Sequence, residues 1–283
     1  LRDDTNLSNI VSSDLAVTAN IADGDQVDIH ANDNLDAVDT FNLIETTGAT
    51  ATQLTLGAAQ ADSTDKNVHI TGSGDLTITD LQDNTDLSLV DTTNLSITAT
   101  ILSPIDISSN PTDVNDDGLL GIASVVDTFE LVGGDAAMTL TASQADGETI
   151  TGTGNVTIND FGDETDLSNI DSADLFLTAV VSTGVDIRSN PTAVGGNPEF
   201  GIASVVDRFN LVGAGDLTLT ASQADGQSVI GSGVVTVTDL ADATNLAGID
   251  STDLSVTATV TGETDISEND GVGSVDYFVV SGN

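Results

Sequence analysis

The segment of this chain best suited to chemistry is Asp113-Val114-Asn115-Asp116-Asp117-Gly118. It places oxygen ligands at positions 1, 3 and 5 and a glycine for the sharp turn, the D-x-[DN]-x-[DN]-G opening of a calcium-binding loop. A hard cation needs several carboxylate and carbonyl oxygens to converge without a competing lysine, and Asp113, Asn115 and Asp117 could supply them. Leu120 stands where such loops carry an apolar residue. Position 12 departs from the pattern, with Ser124 in place of a bidentate glutamate, and the flanking residues read as strand. One repeat later the segment reads Ala193-Val194-Gly195-Gly196 and the ligands are gone. An Asp/Asn/Gly turn without a metal is the competing reading.

A second acidic cluster recurs along the chain. Asp166, Asp171 and Asp174 follow Asp86 and Asp91 and precede Asp250 and Asp253. On stacked coils they would line one edge and could hold a cation. Alternatively, each aspartate shapes its own turn through local hydrogen bonds. The Gly-x-Gly triplets at Gly72, Gly152 and Gly231 look like pieces of a calcium-binding nonapeptide. They do not match it: Asp75 falls one place early, and Asn155 or Val234 stands there in the other copies. Thr77/Thr79, Thr139/Thr141, Thr218/Thr220 and Thr236/Thr238 could form a flat threonine face of the ice-binding kind. Threonine is also an ordinary solvent-facing strand residue. His30 and His69 do not recur: Ser108, Arg188 and Ser267 align with the first, and Thr149 with the second. No acid pair is singled out for glycoside chemistry. A polysaccharide-acting enzyme is therefore a remote reading, and the chain is expected not to be an enzyme.

The elements that must position these residues repeat about every eighty residues. Thr5-Asn6-Leu7-Ser8-Asn9-Ile10 returns near 85, 165 and 244, and GIASVVD occurs at both Gly121–Asp127 and Gly201–Asp207. The units run 1–81, 82–161, 162–240 and a partial 241–283. Leu76-Thr77-Ile78-Thr79, Leu95-Ser96-Ile97-Thr98 and Val235-Thr236-Val237-Thr238 alternate apolar and polar residues, the period of a half-buried strand. No helix of ten residues or more is expected. Strong strands follow one another 18 or 19 residues apart, which predicts coils of about twenty residues. The expected fold is all-β, a β-solenoid like a parallel β-helix, with four coils per unit advancing about 19 Å at ~4.8 Å each. Tandem immunoglobulin-like β-sandwiches are the alternative. Units two and three carry a longer loop, opening with Asn-Pro-Thr at 110 and 190, where a partner could be touched.

Composition narrows the function. Forty-six acidic residues face four basic ones, for a net charge of −42 over 283 residues. Nucleic acid and anionic membrane are disfavoured partners. Calcium, high salt or sea water would make such self-repulsion tolerable. With 39% hydrophobic residues a core can form, but it must be aliphatic, because aromatic residues are 3% and tryptophan is absent. There is no cysteine, so thiol chemistry and disulfides are excluded. No apolar run is long enough to span a membrane. Leu1 opens inside a repeat without methionine, as a mature product or a fragment of a longer chain would.

LTLTASQADG, G-x-G-x-V-T-V-T-D-L and TDLSNIDSxDL together resemble the β-strand repeats of giant bacterial cell-surface and secreted proteins, of the adhesin, S-layer-like or extracellular-filament type. That resemblance covers nearly the whole chain. It implies export to the extracellular space or cell surface, structural work with self-association in a filament or layer, and calcium dependence. An adhesin stalk binding a cell-surface or glycan partner is the alternative.

Overall fold

The computed structural model describes residues 1–283 apart from 2, 4, 8, 11–14, 33–34, 36, 47–50, 111–120, 190–201 and 282–283. The chain divides into two compact units, Leu1–Met138 with Thr149–Gly154, and Thr139–Glu148 with Asn155–Asn283. The first part of the chain forms β1 (Thr18–Ile21), β2 (Gln26–Asp28), β3 (Thr40–Leu43), β4 (Gln53–Gly57), β5 (His69–Gly72), β6 (Gly74–Thr79), β7 (Leu95–Ile101), β8 (Ile105–Asp106) and β9 (Thr128–Leu131). β10 (Ala137–Thr141), β11 (Thr149–Gly152) and β12 (Gly154–Asn159) follow. The rest forms β13 (Leu175–Val181), β14 (Gly184–Asp186), β15 (Arg208–Thr220), β16 (Ser228–Thr238), β17 (Leu254–Thr261) and β18 (Tyr277–Ser281). The α-helices among the described residues are single turns of four residues, such as Ala142–Ala145 and Ala221–Ala224.

The protein is β-rich with parallel sheets. In the first unit β1-β3-β5 form one sheet and β2-β4-β6-β7-β9-β11 another. Register follows the alternation seen in the sequence. Leu56, Ile78, Ala99, Phe129 and Ile150 are successive cross-strand partners, and all five are fully buried. Val27, Leu54, Leu76 and Ile97 make a second such row. Each fully buried aliphatic side chain contributes about 1.5–3 kcal/mol before entropy is counted. Slipping one strand by a single residue would turn its whole row outward, so the rows fix the register. Parallel pairing does not fit the immunoglobulin-like alternative, whose sheets are antiparallel.

The second unit repeats the arrangement. Here β12-β13-β15-β16-β17-β18 are consecutive strands of one sheet, with β14 beside β15. Ala179, Phe209, Val229 and Ile249 form the row equivalent to Ala99, Phe129 and Ile150. The Phe209 ring meets Phe161 edge-on at 6.0 Å between centroids, and both rings are buried in the core, as are Phe41 and Phe129. Steps between partners are not uniform: Gly74 pairs with Leu95, 21 residues on, whereas Thr98 pairs with Thr128, 30 residues on. Long steps are not confined to the repeats with the inserted loop: Thr40 pairs with His69, 29 residues on.

Some strands serve two neighbours at once. β7 pairs with β6 through Leu95–Ala99 and with β9 through Thr98–Ile101. β17 does the same, with β16 through Leu254–Ala258 and with β18 through Thr257–Thr261. The last strand of one repeat is thus the first of the next. Sequence boundaries after residues 81 and 240 fall in turns, while the hydrogen-bonded stack changes over inside β7 and β17.

The Gly-x-Gly triplets are corners that let strands approach. Gly152 has φ of 97°, and a Cβ there would lie 2.0 Å from the Leu131 carbonyl oxygen. Gly231 repeats this against the Leu211 oxygen, also at 2.0 Å. Only glycine combines that backbone with that closeness. Between corners, the A-S-Q-A turns are held by capping boxes. The Thr220 amide donates to Gln223 Oε1 at 2.9 Å, and the buried Gln223 Nε2 donates to the Ile187 carbonyl at 2.5 Å.

Candidate functional site

Asp113, Asn115 and Asp117 lie outside the described residues. Asp166 and Asp171 are described, and each shapes its own turn. Asp166 Oδ1 accepts from the Ser168 amide at 2.9 Å, and Asp171 Oδ1 accepts from the Ala173 amide at 3.1 Å. Asp174 stands in the turn just before β13. The same turn bonds recur at Asp86, Asp91 and Asp250. Hydrogen bonds from Ser168 hold the Asp166 carboxyl below the usual carboxylate range, and Thr252 does so for Asp250. Among the described residues, no three acidic or histidine side chains converge as a metal centre would need.

The structure gives a more systematic role to other carboxylates. The Val17 amide donates to Asp39 Oδ2 at 2.6 Å, Ile97 to Asp127 at 2.7 Å, Leu177 to Asp207 at 2.6 Å and Val256 to Asp276 at 2.8 Å. In return, each aspartate amide donates to the carbonyl of the same residue, at 2.9 Å, 2.9 Å, 3.0 Å and 2.9 Å. Each aspartate thus grips one backbone residue of the neighbouring strand from both sides. The signal was present in the sequence as Val-Asp-x-Phe at 38, 126, 206 and 275. It was not readable as a clamp, because the partner lies 20 to 30 residues earlier.

A second set works one turn away. Asp3, Asp83 and Asp242 accept the amides of Asp28, Asp106 and Asp265 at 3.0, 2.9 and 2.6 Å. Those aspartates in turn accept the amides of His30, Ser108 and Ser267. Many of the acids are therefore backbone acceptors at the ends of short parallel strands, where amides would otherwise lack partners. A charged acceptor makes a stronger hydrogen bond than a neutral one.

The threonine pairs and His30 also have definite places in the structure. The threonines do stack: Thr55, Thr77, Thr98, Thr128 and Thr149 are successive partners on the half-buried outward side. Thr79 Oγ1 donates back to the Leu56 carbonyl at 3.2 Å, so one hydroxyl of that face is already engaged. His30 Nδ1 lies 2.5 Å from Asp28 Oδ1 beside an open groove of about 690 Å³ lined by Gly57, Thr79, Asp80, Leu102 and Val132. That hydrogen bond lowers the Asp28 carboxyl below its ordinary value. Ser108 and Ser267 make the same backbone bond without a ring, so the fold does not require the imidazole.

The most exposed apolar strand is β18, where every residue is exposed. Tyr277 is 64%, Phe278 42% and Val280 74% accessible, whereas the equivalent Phe41, Phe129 and Phe209 are at most 2% accessible. β18 is the edge of its sheet and pairs with β17 on one side. No helix of the described residues is long and apolar enough to cross a membrane. No family model, characterised protein or solved structure matches this chain.

Proposed function

We propose that this chain is a structural β-solenoid, a stack of strand-and-turn coils that serves as a self-associating segment of an extracellular bacterial filament, layer or surface fibre. The observation that carries the proposal is the in-register rows of buried aliphatic side chains linked by strands shared between repeats. Such a chain stacks like a one-dimensional array, with each rung held chiefly by its neighbours. Work of this kind needs stiffness and length, and it has no need of a unique pocket. The carboxylate grips add support, because they recur in every repeat and bind backbone to backbone. Calcium stays in the proposal through the 113–118 loop, as a cation that would offset part of the acidic charge.

Duplicating residues 162–240 within the chain tests the stacking. Four rungs at ~4.8 Å add about 19 Å to one dimension only. Small-angle scattering should show that increment with an unchanged cross-section. An isotropic increase in size would sink the solenoid.

A further inference from the structure

We propose that the groove beside His30 is a binding site for an aliphatic ammonium ion, carried either by a free alkylamine or by the lysine side chain of a peptide. The groove holds about 690 Å³ and lies wholly within the first unit. That volume is in the range of ligand pockets. The site joins a carboxylate that has no protein partner to a lining stripped of hydroxyls, and nothing in it depends on self-association of the chain.

The first repeat departs from the others at three positions around this groove. Thr141-Ala142-Ser143-Gln144 and Thr220-Ala221-Ser222-Gln223 are replaced by Gly57-Ala58-Ala59-Gln60. In the later turns the threonine and serine hydroxyls bond to each other, at 3.2 Å and 3.1 Å. Here both hydroxyls are missing, and Gly57, Ala58 and Ala59 line the groove. The third change is at residue 102. Asp160 Oδ1 accepts the Ser182 hydroxyl at 2.9 Å and Asp239 Oδ1 accepts the Thr261 hydroxyl at 3.0 Å, each from 22 residues on. Asp80 is their counterpart, and 22 residues on stands Leu102. The Asp80 amide and carbonyl bond to Thr100 and Gln82, but among the described residues no donor meets its carboxylate.

These changes select the ligand by charge and by shape. Leu102 is 47% and Val132 42% accessible in the lining, so an aliphatic stem gains by covering them. A polyol would set hydroxyls against those same apolar atoms and lose water for nothing in return. The acid of the lining is Asp80. His30 commits Nδ1 to Asp28 at 2.5 Å, and because an ionised carboxylate only accepts, the neutral ring keeps Nε2 as an acceptor. With no lysine or arginine in the lining and a net charge of −42, an anionic ligand meets only repulsion. An ammonium group supplies three donors and the opposite charge, and its stem supplies the apolar cover.

The test is titration calorimetry on the intact chain in about 0.15 M NaCl, with hexylammonium, ethylammonium, hexan-1-ol and a capped Ala-Ala-Lys-Ala-Ala peptide as probes. Hexylammonium should bind saturably and roughly tenfold or more tighter than ethylammonium, since each fully buried methylene is worth about fourfold. Asp80→Asn should weaken binding roughly fivefold, the upper end for an exposed ion pair. Asparagine tolerates the left-handed φ of 55° at that position, so the turn is kept. Leu102→Ser, at an exposed position, installs the hydroxyl found at residue 182 and should weaken binding by a similar factor. Asp160→Asn should leave it unchanged. A peptide that binds more tightly than hexylammonium makes a lysine side chain the source of the ammonium, and the reverse order makes it a free amine; both support the site. No saturable heat with either would overturn the proposal. So would hexan-1-ol binding as tightly as hexylammonium. An affinity indifferent to stem length and to both substitutions would reduce the site to diffuse attraction by an acidic surface.

Discussion

Replacing Asp207 separates a structural carboxylate from one more surface charge. Its Oδ2 accepts the Leu177 amide at 2.6 Å while its own amide donates to the Leu177 carbonyl at 3.0 Å. Leu177 is fully buried, and Asp207 itself is exposed. Alanine removes the acceptor and leaves a strand amide without its partner, a cost of ~1–3 kcal/mol for a buried group. Water can reach the exposed side, so about 1–2 kcal/mol is the appropriate range. At ~2–4 °C per kcal/mol for a chain of this size class, the melting temperature should fall by about 2–8 °C. Asp207→Asn keeps an oxygen acceptor but loses the charge, and should cost about half as much. The control is Asp253→Asn, at an exposed position before β17. On a chain of charge −42, simple relief of repulsion would make both substitutions at Asp207 and the control stabilising. Thermal melts by circular dichroism at 0.15 M and 1 M NaCl distinguish the two, because salt screens repulsion and leaves the short hydrogen bond in place. If Asp207→Ala melts at or above the wild-type temperature in both salts, the grip does not stabilise the fold.

Gly152→Ala should destabilise by ~3 kcal/mol or more, since it combines a left-handed φ with a Cβ 2.0 Å from the Leu131 oxygen. Gly134→Ala, with nothing within 4 Å of its Cβ, should change denaturant stability by no more than ~0.5 kcal/mol. Acid should also unfold the chain. Asp28, Asp166, Asp186 and Asp265 all have carboxyls held below the ordinary value of 3.8 in the fold. On acidification the unfolded state takes up protons first, so their contribution is full above 3.8 and is lost as pH falls through the lower folded values. Melting temperature in 1 M NaCl should be flat from neutral pH to about 5 and drop below about 4; a rise in that window would contradict the assignment. Millimolar calcium should raise the melting temperature relative to chelator, and Asp117→Asn should remove the gain while Asp166→Asn leaves it. Identical melts with calcium and with chelator would remove the metal from the proposal.

Individual residues show how far the sequence could be read. Leu76 to Thr79 and Val235 to Thr238 were legible as strands because a period of two needs no tertiary information, and both form the expected half-buried faces. The A-S-Q-A segments were not legible as helical turns. Four residues carry no helical periodicity, and their stability comes from Gln144 and Gln223 capping across the turn. The acidic turns at Asp166 and Asp171 could be read two ways, and the local bonds to Ser168 and Ala173 are the local-turn alternative. Asp39, Asp127, Asp207 and Asp276 carry no local mark of their role, although their motif is as regular as any in the chain.

By itself the sequence determined a β-rich, aliphatic, acidic repeat with glycine corners. Alternation, composition and spacing are properties of the chain near each residue. Tertiary structure decided between the parallel sheets of the expected fold and the antiparallel ones of the sandwich alternative, and it alone decided that β7 and β17 each serve two neighbours and that the Val-Asp-x-Phe carboxylate closes on a residue 20 to 30 positions away. The physical reason is that backbone donors and acceptors are alike at every residue. Which amide meets which carboxylate depends on the rung that buried side-chain rows place beside it, and no local pattern encodes that distance. The same rows leave β18 covered on one side only, a property of the stack that its own residues, YFVVS, do not reveal.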